Sequence, residues 1–351
     1  MAAMRQDNRD FALLSGEPGR TPKRLIFSYV LDWMFIILLV IVGAILYSIT
    51  GSEHVFSLDD PSISYPLKDD TVSIVTVGIV CCAVPALLIA VLSLLFPIPG
   101  RLRLWEWHAG WLGLSLSLAG AFFVTSGLKD VVGKPRPDLL ARCQPNLSLN
   151  ITAYAVSGLG VERPEAPVMV TTRICQTSGS KTLRDGFAAF PSGHSSFSWS
   201  GLLYLSLWLG AKVARAVPAH HGNSYSQAAA APPVYLLVLS AIPIGGALYI
   251  CGTRYMDYMH AGWDIIGGSV IGIAFAILGF RWYHAPAGQG DRGWGWALGP
   301  RSADHAFGVG LVAPGEFRGD VQRPVENREG FLDVELNTID GSQSVLRVAN
   351  P

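Results

Sequence analysis

The chain is poor in charge. Only 15% of its 351 residues are Asp, Glu, Lys or Arg, where a soluble protein carries about 25%. So little charge argues against an ordinary water-exposed surface. Neither sign is in excess, since 26 basic residues balance 26 acidic ones. The cations form no single basic patch, which speaks against a nucleic-acid partner. Cysteine is scarce, with five residues. The absence of Cys-x-x-Cys and His-Glu-x-x-His arrangements argues against a structural or hydrolytic zinc site, and no cofactor is expected.

Apolar residues are abundant. Half the chain is hydrophobic and mean hydropathy is +0.36. Six runs approach the ~20 residues needed to cross a bilayer: Ser28–Ile49, Ser73–Leu95, Gly110–Leu128, Ser195–Ala214, Val234–Cys251 and Ala261–Phe280. Gly, Ser or Pro interrupts the fourth and fifth, which neighbouring helices make tolerable. The sequence predicts an all-α, polytopic integral membrane protein with six transmembrane helices, embedded in the bilayer as its first partner. The first run is too long for the apolar core of a secretion signal, and no convincing small-residue cleavage site follows it, so it reads as a retained span. Residues 1–24 read as a loose cytosolic segment and 25–284 as the membrane domain. Residues 285–351, rich in Gly, Pro and charge, read as a mostly disordered cytosolic tail.

Cations set the orientation. Arg9, Arg20, Lys23 and Arg24 precede the first span, whereas the loop after it holds Lys68 among five acidic residues. Arg101, Arg103, Lys212, Arg215 and Arg281 fall in or near even-numbered loops or after the last span. By the positive-inside rule both termini are cytosolic, and loops beyond about 60 residues, like the third, escape the rule. That loop, 129–194, carries sequons at Asn146 and Asn150, usable only in a secretory lumen. Cys143 and Cys175 share it, and a disulfide between them suits that oxidising side. Cys81, Cys82 and Cys251 lie in apolar spans, where a small buried hydrophobe is the plain reading.

Three fragments carry chemistry, each at the non-cytosolic end of a span. They are Lys129-x6-Arg136-Pro137, Pro191-Ser192-Gly193-His194, and Thr253-Arg254-x5-His260-x3-Asp264. Phosphoryl transfer needs mainly positioning and charge stabilisation, and Lys129, Arg136 and Arg254 could surround the phosphoryl oxygens, the arginines as forks. Gly133, Pro135 and Pro137 are expected to end the third helix early and leave Arg136 on a turn. Ser192 and Gly193 open the fourth span, where backbone N–H groups and a hydroxyl suit an anion. His194 could protonate a leaving alkoxide. His260 and Asp264, four residues apart, would share a helix face, so the carboxylate could orient the imidazole. Asp257, three residues before His260, could reach it as well, and spacing alone does not choose between them.

In this order, these motifs resemble the type 2 phosphatidic acid phosphatase, or lipid phosphate phosphatase, superfamily. The resemblance spans about Arg24 to His284. Arg136-Pro137-Asp138 followed by Arg142-Cys143-Gln144-Pro145 looks most like the fungal and plant type, including diacylglycerol pyrophosphate phosphatases. The family likeness implies a helical-bundle phosphatase core that needs no metal. It implies that His260 is the nucleophile forming a phosphohistidine, with Asp264 rather than Asp257 as its orienting partner and Asp257 a bystander. His194 becomes the acid and later the base. Lys129, Arg136, Ser192, Gly193 and Arg254 become phosphate-binding positions. Thr253 stands where Ser is usual, which keeps the hydroxyl. The implied substrates are phosphatidic acid, diacylglycerol pyrophosphate or lysophosphatidic acid, in a secretory, vacuolar or plasma membrane. A head-group transferase of the same superfamily is the chemical rival. A transporter or scaffold is a rival of another class, disfavoured because the ionisable residues gather at one face rather than at the midplane.

Overall fold

A computed structural model describes residues 23–95, 100–146, 148, 151–156, 163, 166–177, 179–216 and 233–284. The expected tail, 285–351, and residues 1–22 of the expected N-terminal segment lie outside the described residues.

In lipid every backbone polar group must be satisfied internally, and the apolar runs are accordingly helical. Among the described residues, five helices are long and apolar enough to cross a membrane. They are α1 (Lys23–Ser48), α2 (Ile74–Leu95), α3 (Gly100–Val132), α8 (Val234–Met256) and α9 (Gly262–Tyr283). The Ser73 hydroxyl caps α2 by accepting from Thr76 N at 3.2 Å. Two expected boundaries move. α3 starts at Gly100, so Arg101 and Arg103 lie in its first turn. α8 runs to Met256 and carries Thr253 and Arg254 on its last turn.

The expected span Ser195–Ala214 differs from the other five. It is helical as α6 (Gly193–Ser198), a π-helical turn (Trp199–Leu203) and α7 (Tyr204–Ala216), but it is not among the helices apolar enough to cross unaided. The physical reason is its place in the interior. α6 packs on α3, α8 and α9, and Ser195, Ser196, Ser198, Ser200, Tyr204 and Trp208 are all buried. Its serines meet protein rather than acyl chains. Ser198 Oγ and Ser200 Oγ each donate to the carbonyl three residues back, at 3.1 and 3.0 Å. In contrast α1, α2 and α8 expose rows of large apolar side chains, such as Phe35, Leu87 and Ile242, as a lipid-facing surface requires.

Close approach of α6 to α9 depends on two glycines one turn apart. A Cβ on Gly268 would meet the Ser192 carbonyl, and one on Gly272 would meet the Ser196 carbonyl and lie 2.6 Å from Trp199 Cβ. This is the small-residue spacing that lets helix backbones touch in membranes. The start of α6 is thereby held against the start of α9, with Ser192 N donating to Asp264 O at 2.9 Å.

The odd-numbered loops fold together as a cap. Strands β1 (Phe56–Ser57) and β2 (Met169–Val170) pair antiparallel, Phe56 opposite Val170. With the short helices α4 (Leu139–Cys143) and α5 (Lys181–Gly186) they enclose a core of Phe56, Ile63, Leu139, Ile174, Leu183 and Phe187. Cys143 and Cys175 are joined there as a disulfide. Asn146 is partly buried beside that core, its backbone N–H donating to Ile174 O at 3.0 Å; Asn150 lies outside the described residues. At the opposite end of α3, Glu106 pairs with Lys212 of α7, and His284 Nε2 lies 3.5 Å from the same carboxylate.

Gly272→Leu should force α6 and α9 apart at an overpacking cost of about 1–3 kcal/mol, lowering the melting temperature in detergent, whereas Gly245→Leu on exposed α8, where a Cβ meets nothing, should leave it unchanged. Equal melting temperatures would remove the close crossing as the constraint.

Candidate functional site

Where the cap meets the helix ends there is a cavity of about 600 Å³. Lys129, Arg136, Gly193, His194, Arg254 and His260 all line it. Residues of all three fragments, far apart in sequence, therefore face one space. Of the charged side chains lining it, six are Lys or Arg and four are Asp or Glu, so the excess is positive and suits an anion.

Each cation is delivered by a local feature of the chain. α3 ends at Val132, and Gly133 takes a left-handed conformation (φ 55°) that costs a glycine little. Lys129 stays on the last helical turn and Arg136 falls on the turn beyond. Arg136 Nη2 binds Asp185 Oδ1 at 3.0 Å, and its own N–H is fixed to Gly186 O at 2.7 Å. Arg142 shares Asp185 through a 3.1 Å contact and is also paired with Asp138. Arg254 is 1% exposed and held by four groups: Asp70 at 2.6 Å, Asp257 at 2.9 Å, the Val72 carbonyl at 3.2 Å and the Thr253 hydroxyl at 3.3 Å. Lys129 makes no ion pair among the described residues, and its ammonium would lie 3.8 Å from a methyl placed on Gly193. The cation thus sits beside the first residue of α6.

After α8 the backbone reverses through Tyr258 (φ 57°), and both Met259 N and His260 N donate to Arg254 O, at 3.1 and 3.3 Å. Arg254 and His260 are locked together by main chain. His260 Nδ1 donates to the Ala189 carbonyl at 2.7 Å, since a carbonyl oxygen can only accept. That fixes the tautomer and leaves Nε2 with its lone pair. By the same reasoning His194 Nε2 donates to Val72 O at 3.1 Å, leaving Nδ1 as its free ring nitrogen.

Three expectations are corrected. Asp264 does not reach the His260 imidazole. His260 lies before α9 rather than in it, with Ala261 as the N-cap, so the four-residue spacing never becomes a shared helix face. Asp264 instead accepts from Ala261 N at 2.9 Å and pairs with Lys134 Nζ at 2.7 Å, and the Ala189 carbonyl takes over the orienting of His260. Asp257 is no bystander, because it is fully buried and holds Arg254, Thr71 and Lys68. Ser192 is also fully buried and does not line the cavity. Its hydroxyl caps α6, accepting from Ser195 N and Ser195 Oγ.

Sequence reading missed Asp185, Asp70 and the Ala189 and Val72 carbonyls. In the sequence Asp70 is one of the five acidic residues of the first loop. The carbonyls carry no residue-type signal at all. Among the described residues no group of three or more His, Cys, Asp or Glu gathers as a metal site.

Burial, then Arg136 and Lys129, push His260 well below the usual imidazole range. Burial, then Arg254, lower His194 to about 4, against the opposing pull of Asp70. Burial alone would raise Asp185 and Asp257. The cations beside Asp185, and the Thr71 bonds with Arg254 and Lys68 beside Asp257, more than offset it, so both carboxylates are held below their ordinary values. In the free site both imidazoles are neutral and both carboxylates charged.

A helical membrane protein with a cationic cradle and two oriented imidazoles at one end of its bundle belongs to the class of enzymes that act on phosphate esters at a membrane. The comparisons with known proteins give the family. Residues 110–287 match the PAP2 superfamily. Diacylglycerol pyrophosphate phosphatase 1 of Saccharomyces cerevisiae is 29% identical over 71% of this chain and 78% of its own length. Probable diacylglycerol pyrophosphate phosphatase 1 of Schizosaccharomyces pombe is 33% identical over 66% of this chain and 72% of its own. Lipid phosphate phosphatase 2 of Arabidopsis thaliana is 28% identical over 75% and 80%. No solved structure matches. The chain belongs to the PAP2 superfamily and is a multi-pass membrane phosphatase.

Asp257→Asn should remove one of the two carboxylates paired with buried Arg254, leaving Asp70 as its remaining anion, and should reduce kcat/KM by about an order of magnitude; unchanged phosphate release would make Asp257 dispensable. Anion binding should raise both histidine pKa values from their lowered free-site positions, so binding takes up protons and tightens as pH falls through the neutral range. Titration calorimetry with sulfate, which keeps both charges there, in buffers of different ionisation enthalpy measures the uptake, and His194→Asn should reduce it.

Proposed function

We propose that this protein is a metal-independent lipid phosphate phosphatase that hydrolyses phosphatidic acid, diacylglycerol pyrophosphate or lysophosphatidic acid through a phosphohistidine at His260. The observation that carries this reading is the fixed His260 tautomer: Nδ1 is committed to Ala189 O at 2.7 Å, while the ring lines a cavity shared with Lys129, Arg136 and Arg254. An imidazole so held presents one nucleophilic nitrogen to a phosphorus that the cations draw in and polarise.

The sequence of steps follows. Lys129, Arg136, Arg254 and the backbone N–H groups at the start of α6 take the phosphoryl oxygens. His260 Nε2 attacks phosphorus and the P–O bond to the lipid alcohol breaks. His194 gives its proton to the departing alkoxide. It carries that proton only once the phosphate dianion has offset the burial and the Arg254 charge that hold it neutral in the free site. His194, now neutral, then takes a proton from water as the water attacks the phosphohistidine, and inorganic phosphate is released. The relatives named for lipid phosphates and diacylglycerol pyrophosphate support the substrate class. The charge bias of the loops and the sequon at Asn146 favour a luminal or extracellular site with cytosolic termini.

A head-group transferase would resolve the same intermediate with an alcohol, and release of free phosphate in water separates the two. Purified protein should release phosphate from phosphatidic acid in excess EDTA, with inhibition by orthovanadate. His260→Ala should lower kcat on the order of a thousandfold or more, and an active variant would sink the covalent mechanism. Strict dependence on magnesium would overturn the metal-independent reading.

A further inference from the structure

The cavity has two unlike ends. One is the cationic cradle. The other is walled by Tyr47 and Ile49 at and just beyond the end of α1, Ile74 and Gly78 at the start of α2, Phe122 of α3 and Phe197 of α6. Tyr47, Ile49 and Ile74 are 55%, 49% and 65% exposed, so this wall reaches the outer surface of the bundle between two membrane-spanning helices. Both helices are braced on α3. Gly43 of α1 lies against Phe122, whose ring would be 2.8 Å from a Cβ there, and Trp111 Nε1 donates to Ala86 O of α2 at 2.9 Å.

His194 stands on the α2 side of the cradle, its ring bonded to Val72 two residues before that helix begins. His260 is fastened to the cap through Ala189. A leaving group protonated by His194 therefore departs towards α2, with apolar wall before it. We propose that the slot between the end of α1 and the start of α2 is the lateral entry for the substrate's acyl chains, and that Gly78 sets its width. The proposal deepens the phosphatase reading and rests on it.

Gly78 is the informative position because its surroundings are empty. It lines the cavity, yet no atom lies within 4 Å of where its Cβ would be, while the adjacent Val77 is fully buried. A Cβ there meets no other part of the protein, and any residue other than proline favours the helix more than glycine does. The added group meets only what enters the slot.

The test uses the full chain in detergent, with dioleoyl phosphatidic acid and water-soluble p-nitrophenyl phosphate as substrates. Gly78→Phe should lower kcat/KM for the long-chain lipid by about tenfold or more and stay within about twofold on the soluble ester, the scale on which an apolar subsite discriminates. Gly245→Phe, on exposed α8 and outside the cavity, should change neither. If the Phe variant is lost on both substrates, the smaller Gly78→Leu decides by the same ratio. An unchanged ratio in both Gly78 variants overturns the slot. Wild-type protein that releases phosphate from neither substrate overturns the phosphatase reading instead, and the slot's role with it.

Discussion

Two arginines lie buried at the end of a membrane bundle, and the polar contacts around them shape the loops beside the cavity. Arg136 and Arg254 are 8% and 1% exposed. Such burial is tolerable only where each guanidinium is paired and hydrogen-bonded. The partners come from wherever the chain can supply them. Asp185 arrives from α5 in the third loop, Asp257 from the turn after α8, and Asp70 and Val72 from the first loop. The Arg254 contacts join the first loop to the turn after α8, while Arg136 and Asp185 close the third loop on itself; the β1–β2 pair then joins the first loop to the third, and the His260–Ala189 bond joins the third to the fifth.

That origin explains which parts of the molecule could be read from the sequence. α1, α2, α8 and α9 were legible because lipid-facing helices must be apolar along their length. The interior helix was legible as helix but not as different, since its serines look like interruptions until the surrounding α3, α8 and α9 are seen to enclose them. The cationic cradle was legible through Lys129, Arg136 and Arg254, because cations next to apolar runs are costly enough to stand out. Their carboxylate holders were not. Asp185 and Asp70 are ordinary loop residues until folding brings them to an arginine, and which acid serves which base is fixed by loops whose course spacing does not encode.

The Asp264 case shows the limit of spacing arguments most sharply. A four-residue interval implies a shared face only if both residues are helical, and the helix begins two residues after His260. Asp264 at the third helical position does what acidic residues do there, capping the exposed N–H groups, and adds a pair with Lys134. The orienting task passes to a backbone carbonyl, which a point mutation of Ala189 would not remove. The imidazole is therefore held by the course of the chain from Ala189 to Ser192, itself pinned by the Ser192–Asp264 backbone bond at 2.9 Å. Asp264 can thus influence His260 without touching its ring, by fixing where α9 begins.

The same economy governs protonation. Cations concentrated enough to bind a phosphate dianion also depress any imidazole placed among them, and both His260 and His194 are depressed in the free site. For a nucleophile this is an advantage, since a neutral ring keeps its lone pair. For an acid it is a defect that only the substrate can repair. A bound dianion offsets the charge of Arg254 and Lys129 and raises His194 towards the range where it holds a proton. In the proposed mechanism the two histidines serve opposite roles in one step because they start from different depths. His260, depressed by burial with Arg136 and Lys129 beside it, stays the free base, while His194, which Asp70 draws upward, takes the proton.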